Sequence, residues 1–342
     1  TATGHSSSWS PNATDRHTTR PSRSPAPLPL TPTLRFLLRR ALTGVLVLWG
    51  AVTVTFFAVA CAGGDQLDAI LGPQAANLPG LRAQTAAQYG LDRPLAAQYL
   101  HRLANLATGD LGRSYQRDEP VSRVLSGQVW PTLELALCAA AIGLLIALGM
   151  TVAFTGRGRI VRTATSVLET LAVAVPPFWL GILLLSLFSF SLRWFPAFGD
   201  HGVSSLVLPT LALAVPIAGV LAQVMRQELD LVQARPFVLS ARARGHGRLG
   251  LLLRHTLRHA VLPATTMSAW VLGTLVGGAV LVEKVFSRPG LGSVLVEAVR
   301  HRDTPVVSAV VILAAAVFVA ANTVADLLYP VIDARLREPV TR

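Results

Sequence analysis

His255 and His259 stand four residues apart, a spacing at which two imidazoles on one helix face can share a metal ion. The glutamate of an HExxH arrangement is missing, and Arg254 and Arg258 would repel a cation, so no metal site is expected. Cys61 lies late in one long apolar run and Cys138 early in the next, which places both toward the same face of the membrane those runs would span. A disulfide between them is geometrically conceivable, and two buried packing thiols are the reading that the apolar surroundings favour. Phosphate chemistry of the P-loop kind needs glycines followed by Lys and Ser or Thr. The single lysine, Lys284, sits in "VEKVF", so this chain does not hydrolyse ATP by that route. No apolar run carries a Ser/His, paired Asp or clustered His constellation at its middle, and no catalytic residue is expected. If the chain drives uphill transport, the energy comes from another chain or from an ion gradient.

The elements that hold these residues are set by composition. Of 342 residues 52% are hydrophobic and only 14% charged, against about 25% charged in an ordinary soluble domain. Six charge-free runs of 22 to 25 residues stand out: Ala41–Gly64, Leu135–Gly156, Thr170–Leu192, His201–Met225, Ala260–Val282 and Thr304–Ala325. A bilayer core takes roughly 20 apolar residues of helix, and lipid cannot satisfy a bare backbone. The chain therefore reads as an all-α membrane protein with six transmembrane helices. Residues 1–33, rich in Ser, Thr, Pro and Arg, have no apolar face and are expected to be a disordered tail. The first span then serves as its own uncleaved insertion signal.

Short-loop arginines orient the spans. Arg35, Arg39, Arg40, Arg157, Arg159, Arg162, the loop after Met225, Arg335 and Arg337 fall on one side, which places both termini in the cytoplasm. Residues 65–134 then form the one large outer segment. Leu91, Leu95, Leu103 and Leu106 recur near helical spacing there, which fits short amphipathic helices on the membrane surface or a solvated loop of incidental periodicity. Between spans five and six, a turn rich in Pro289, Gly290 and Gly292 leads into a short helix from Ser293 to about Arg302, facing outward. Pro176 and Pro177 fall inside span three and must disrupt it locally; Pro209 and Pro216 are expected to do likewise in span four. Such kinks either open a pathway or shape packing, and Phe178 and Trp179 beside them line a pore or face lipid. Glu134, Glu169 and Asp326 lie at span margins and none sits mid-membrane, which weighs against an ion-coupled transporter without excluding it.

The cytoplasmic loop 226–259 is the most distinctive. Leu249, Leu252, Leu253, Leu257 and Val261 form one helix face, with arginines and histidines opposite, and the small-residue run Ser240–Arg244 precedes it, closed by Gly245 and Gly247. Nucleic acid is a poor partner for it, because both ends are tethered to the bilayer and no aromatics interleave the arginines. An interfacial helix on anionic lipid and a docking element for a cytoplasmic protein both remain.

At this point the residues resemble a known family: the permease subunits of ABC importers of the dipeptide/oligopeptide/nickel type. The resemblance runs from Leu34 to Arg337, with a short cytoplasmic tail 338–342 beyond. It is carried by "YGLDRPLAAQYL" (Tyr89–Leu100), "GDLGRSY" (Gly109–Tyr115), "PTLELAL" (Pro131–Leu137), "SARARG" (Ser240–Gly245), "LRHAVLP" (Leu257–Pro263), "VEKVFSRPGLG" (Val282–Gly292) and "DLLYPVIDARL" (Asp326–Leu336). It implies the type I ABC importer permease architecture and a coupling helix that seats in a groove of an ATPase subunit. By position, Leu239 stands where the general motif has Glu, Ser240 and Ala241 stand for its two alanines, and Gly245 is its glycine. Arg242, Ala243 and Arg244 complete the element, the small residues allowing close seating and the arginines meeting acids on the groove's rim. Ala334 stands where the family usually has Pro. The implied assembly has a second homologous permease, two ATPase subunits that bind ATP and Mg, and an extracytoplasmic solute-binding protein docked on 65–134 and Glu283–Asp303. Peptide is the expected cargo, with nickel or a metallophore as the alternative, and an ion-coupled transporter or channel acting alone as the alternative from another class.

Overall fold

A computed structural model describes residues 32–61, 66–75, 79–154, 157–199, 202–233 and 267–332. The chain divides into units Thr1–Ala41 and Leu42–Arg342, and of the first only the opening turns of one helix are described. The helices are α1 (Pro32–Cys61), α2 (Gln66–Ala75), α3 (Pro79–Tyr89), α4 (Leu95–Ala107), α5 (Val121–Ser126) and α6 (Val129–Phe154), then α7 (Arg159–Ala174), α8 (Pro177–Leu184), α9 (Val203–Gln233), α10 (Ser268–Val285), α11 (Leu291–Arg300) and α12 (Thr304–Ile332). A π-helical stretch, Leu185–Ser191, continues α8. Among the described residues there is no strand, only an isolated bridge between Arg113 and Pro120.

Helix α9 is the axis of the bundle. Leu208, Leu213, Ile217, Leu221, Met225 and Leu229 are all nearly inaccessible, and they pack with Leu135, Ala139 and Ala147 of α6 and Leu275 and Val282 of α10. In lipid, such association rests on close packing, which small residues permit. A Cβ at Gly143 of α6 would stand 3.1 Å from the Ala214 carbonyl, and one at Gly219 of α9 would stand 2.9 Å from the Glu169 carbonyl of α7. A second apolar cluster joins α5, α11 and the start of α12 through Val121, Leu125, Val294, Ala298, Val306 and Val310. It caps one end of the bundle.

Four described helices, Leu38–Cys61, Val121–Ala153, Val203–Val232 and Thr304–Val324, are long and apolar enough to cross a bilayer. A fifth crossing is counted if α7 and the α8–π segment form one bent span. The sixth expected run, Ala260–Val282, is described only from residue 267, and α10 carries that part. The run Thr170–Leu192 is broken where Pro176 and Pro177 were expected to disrupt it: the chain turns by 99° between α7 and α8. Two consecutive prolines explain the break. Each pushes the residue before it out of helical geometry, so Val175 (ψ 120°) and Pro176 (ψ 138°) are both extended.

The breaks expected at Pro209 and Pro216 do not occur. α9 runs through both, and both are buried. A lone proline forfeits one hydrogen-bond rung, and packing on all sides holds the helix across that gap. The buried thiol pair is also corrected: both cysteines are free, Cys61 exposed and Cys138 half-buried, on faces that the core does not use. Of the leucines expected on amphipathic helices, Leu95, Leu103 and Leu106 lie on α4 while Leu91 falls in the turn before it, and the short helix expected after Gly292 is α11.

Candidate functional site

Two of the quoted sequence stretches, "PTLELAL" and "VEKVFSRPGLG", meet at one buried carboxylate. Glu283, near the end of α10, is fully inaccessible. Its Oε1 accepts the Thr132 hydroxyl at 2.5 Å, and its Oε2 accepts the backbone N–H groups of Gly292 (2.8 Å) and Ser293 (3.2 Å). Thr132 Oγ1 in turn accepts the Leu291 N–H at 2.8 Å. The first N–H groups of α11, which no helix can satisfy by itself, are thus capped by groups from α10 and α6. Gly290 and Gly292 are required by the same contact: a Cβ at 290 would overlap the Glu283 carboxylate, and one at 292 the backbone of Val280.

Local turns deliver these groups. After α10 the chain adopts left-handed backbone at Ser287 (φ 50°), with Arg288 N–H donating to the Glu283 carbonyl and Ser287 N–H to that of Lys284. That is a Schellman stop without its usual glycine. The turn aims Arg288, itself buried, at Glu134 on α6, 2.7 Å away.

A second carboxylate clasps the 109–116 stretch. Arg302 (φ 54°) ends α11 by the same kind of turn, and the next residue, Asp303, is buried. Asp303 accepts the Ser114 hydroxyl at 2.5 Å and the N–H groups of Tyr115 (3.2 Å) and Gln116 (3.3 Å). Arg102 of α4 donates to the carbonyls of Leu111 and Pro305, 3.1 Å each, which ties α4 and the 109–115 stretch to the start of α12. Burial pushes the Tyr115 phenol up to about 12, with Arg102 pulling the other way and Asp303 adding to the rise. It stays protonated at any physiological pH.

At the far end of α9 a third constellation ties on α7. Arg226 donates through Nε to both oxygens of Glu169 (3.2 and 3.0 Å) and through Nη2 to Oε2 at 2.7 Å. Glu169 is 1% exposed. One turn further, Arg162 pairs with Asp230 at 2.7 Å on the surface. The buried pair is the stronger attachment, because exposed pairs are worth about 1 kcal/mol or less.

The pathway residues expected from sequence do not form one lining. Pro209 and Pro216 sit in the α9 core, while Phe178 and Trp179 are exposed on the elbow between α7 and α8. Pro177 lies in the packing of α8 near Gly278 of α10. The coupling residues Leu239, Ser240, Ala241, Arg242, Ala243, Arg244 and Gly245 lie outside the described residues. What the sequence reading missed is the pair of clasps. Their signals were present as a threonine and glutamate in "PTLELAL" and a serine in "GDLGRSY", polar residues at the margins of otherwise apolar or loop segments.

This arrangement does no bond chemistry. It fixes two loops at one end of the bundle and helix α7 at the other. Residues 142–338 match the family model described as "Binding-protein-dependent transport system inner membrane component". A relative from Brucella suis biovar 1, named as a candidate peptide permease protein, is 34% identical over 318 residues, covering 89% of this chain and 99% of the relative. The glutathione transport system permease protein GsiC of Salmonella typhimurium is 34% identical over 306 residues, with the same coverage of 89% and 99%. A solved structure of the MetNI methionine ABC transporter in inward-facing conformations covers 61% of this chain and 96% of its own, at 18% identity and a TM-score of 0.50. That likeness speaks for the fold alone.

Proposed function

This chain belongs to the family of binding-protein-dependent transport system inner membrane components, and we propose that it is a membrane-spanning subunit of an ATP-driven ABC importer for small peptides. One observation carries the reading: identity of 34% runs over nearly the whole length of relatives named for peptide and glutathione transport, and glutathione is itself a tripeptide. The partners are a second permease, two ATPase subunits and a solute-binding protein in the cytoplasmic membrane of a bacterium, with both termini of this chain in the cytoplasm.

The proposed coupling element, Leu239–Gly245, follows α9 by six residues. At 1.5 Å per residue the 31 residues of α9 reach about 46 Å, against about 30 Å of hydrocarbon. The last turns of α9 therefore project toward the ATPase side, and Glu169–Arg226 and Arg162–Asp230 bind α7 to them. A displacement delivered at Ser240–Arg244 on ATP binding would move the end of α9 and α7 together. The clasps at Glu283 and Asp303 hold the opposite end, where the binding protein releases its cargo.

The test is reconstitution of the co-purified complex in liposomes with labelled trialanine outside. Expected is ATP-dependent accumulation, lost when Gly245→Pro or changes in Ser240–Arg244 release the ATPase. Purification without any ATPase, or uptake driven by an ion gradient alone, overturns the importer reading. Uptake of nickel and not of peptide overturns the cargo.

A further inference from the structure

We propose that the cavity between α1, α3, α4 and the 112–115 stretch is a binding site for the carboxylate end of a small peptide, with Arg93 and Arg102 as its cationic wall. The cavity measures about 350 Å³, at the low end of the roughly 300–1,000 Å³ of small-ligand sites. Arg93, Arg102, Arg113 and His101 line it, and among the described residues no carboxylate does. Asp118 pairs with Arg113 at 3.3 Å, so the charge left facing the cavity is that of Arg93 and Arg102.

Arg102 is fixed by backbone groups. Its two bonds go to carbonyl oxygens, which orient the guanidinium without forming an ion pair. Burial draws its pKa down, with Tyr115 and Asp110 opposing. Arg93 is set by a different brace: Gln98 donates to the carbonyls of Leu91 (3.3 Å) and Arg93 (2.8 Å), which holds the turn ahead of α4. A guanidinium so placed suits a carboxylate, to which it donates charge-assisted bonds about twice as strong as neutral ones. The remaining wall mixes aromatic and apolar side chains with uncharged polar ones, among them Gln66, Gln88, Asn105 and Thr304. Tyr89 and Tyr115 meet edge to face with centroids 4.9 Å apart, and Phe56 of α1 and Pro305 of α12 close the floor. One anionic end with a short, mostly uncharged body is what such a wall accommodates.

The site rests on the peptide-import reading, and the experiment separates the two. The full-length chain in lipid nanodiscs is titrated calorimetrically with trialanine and with trialanine amide. Expected is saturable binding of the acid, with the amide about tenfold weaker. Arg93→Gln, at an exposed position that leaves the Arg102 bonds intact, should bring the acid down to the level of the amide, and Arg93→Lys should restore part of it. Equal binding of acid and amide, an unchanged Arg93→Gln variant, or no saturable binding overturns the site. So does an Arg93→Gln variant that keeps trialanine but loses the solute-binding protein, since the carboxylate would then belong to that protein. ATP-driven uptake in the reconstituted complex is read independently. Uptake without this binding sinks the site and spares the importer, and binding without uptake does the reverse.

Discussion

Replacing Glu283 should free the short helix α11, and the size of the effect can be worked out bond by bond. In Glu283→Ala the N–H groups of Gly292 and Ser293 lose their acceptor in a site closed to water. Each such orphan costs about 1–3 kcal/mol. The lost side chain leaves a void, while release of a buried charge returns part of its desolvation cost. The net is about 4 kcal/mol against the docked α11. Glu283→Gln keeps one oxygen for both N–H groups, and Thr132 can turn its hydroxyl to the Gln128 carbonyl at 3.3 Å, so its cost is about 1 kcal/mol. Hydrogen exchange of amides in Leu291–Arg300 reads this directly, because local opening follows the local free energy. Exchange should accelerate on the order of several hundredfold in the alanine variant and about fivefold in the glutamine variant, at a tenfold change per 1.4 kcal/mol. Equal exchange in the two variants, or an alanine variant that exchanges like the parent, would refute the clasp.

Breaking the Glu169–Arg226 pair from either side, as Glu169→Gln or Arg226→Met, should each cost about 3–5 kcal/mol, and the double variant should cost less than their sum; thermal unfolding in detergent measures the coupling, and simple additivity contradicts it. Gly219→Ala should destabilise by about 1–3 kcal/mol, because its Cβ would press on Glu169 and Ala172 of α7. Gly277→Ala, with open space around its Cβ, should leave the melting temperature unchanged or slightly raised in the same measurement. Tyr115 should show no phenolate absorbance until near pH 12, in a difference spectrum against Tyr115→Phe. Its raised pKa contributes stability that is whole below about pH 10 and lost as pH climbs through about 12.

The bundle was legible wherever burial in lipid dictates the residue type. Charge-free runs located α1, α6, α9 and α12, and the double proline at 176–177 announced its own break. Pro209 and Pro216 misled, because a lone proline's effect depends on what packs around it, and those neighbours come from α6, α8 and α10. The clasps were illegible for a similar reason. Thr132 and Glu283 are 151 residues apart, Ser114 and Asp303 are 189 apart, and nothing in local spacing pairs them. Glu283 read as an outer-loop charge beside Lys284, whereas it is the most enclosed carboxylate among the described residues. Family resemblance marked these stretches as belonging together without supplying the bond that joins them.

The elbow at Val175–Pro176 leaves the bundle with walls of unequal height. Helix α6 stands about 39 Å tall and α9 about 46 Å, while α7 reaches about 24 Å and α8 with its π-helical extension about 22 Å at most. Leu168 and Leu171 on one arm, and Phe178, Trp179, Ile182 and Leu183 on the other, turn their apolar surface outward from the chain. Acyl chains packed there meet less than a full bilayer's depth of hydrocarbon on either arm. The membrane must thin beside the elbow or yield that flank to another protein surface, at fractions of a kcal/mol for each ångström of mismatch.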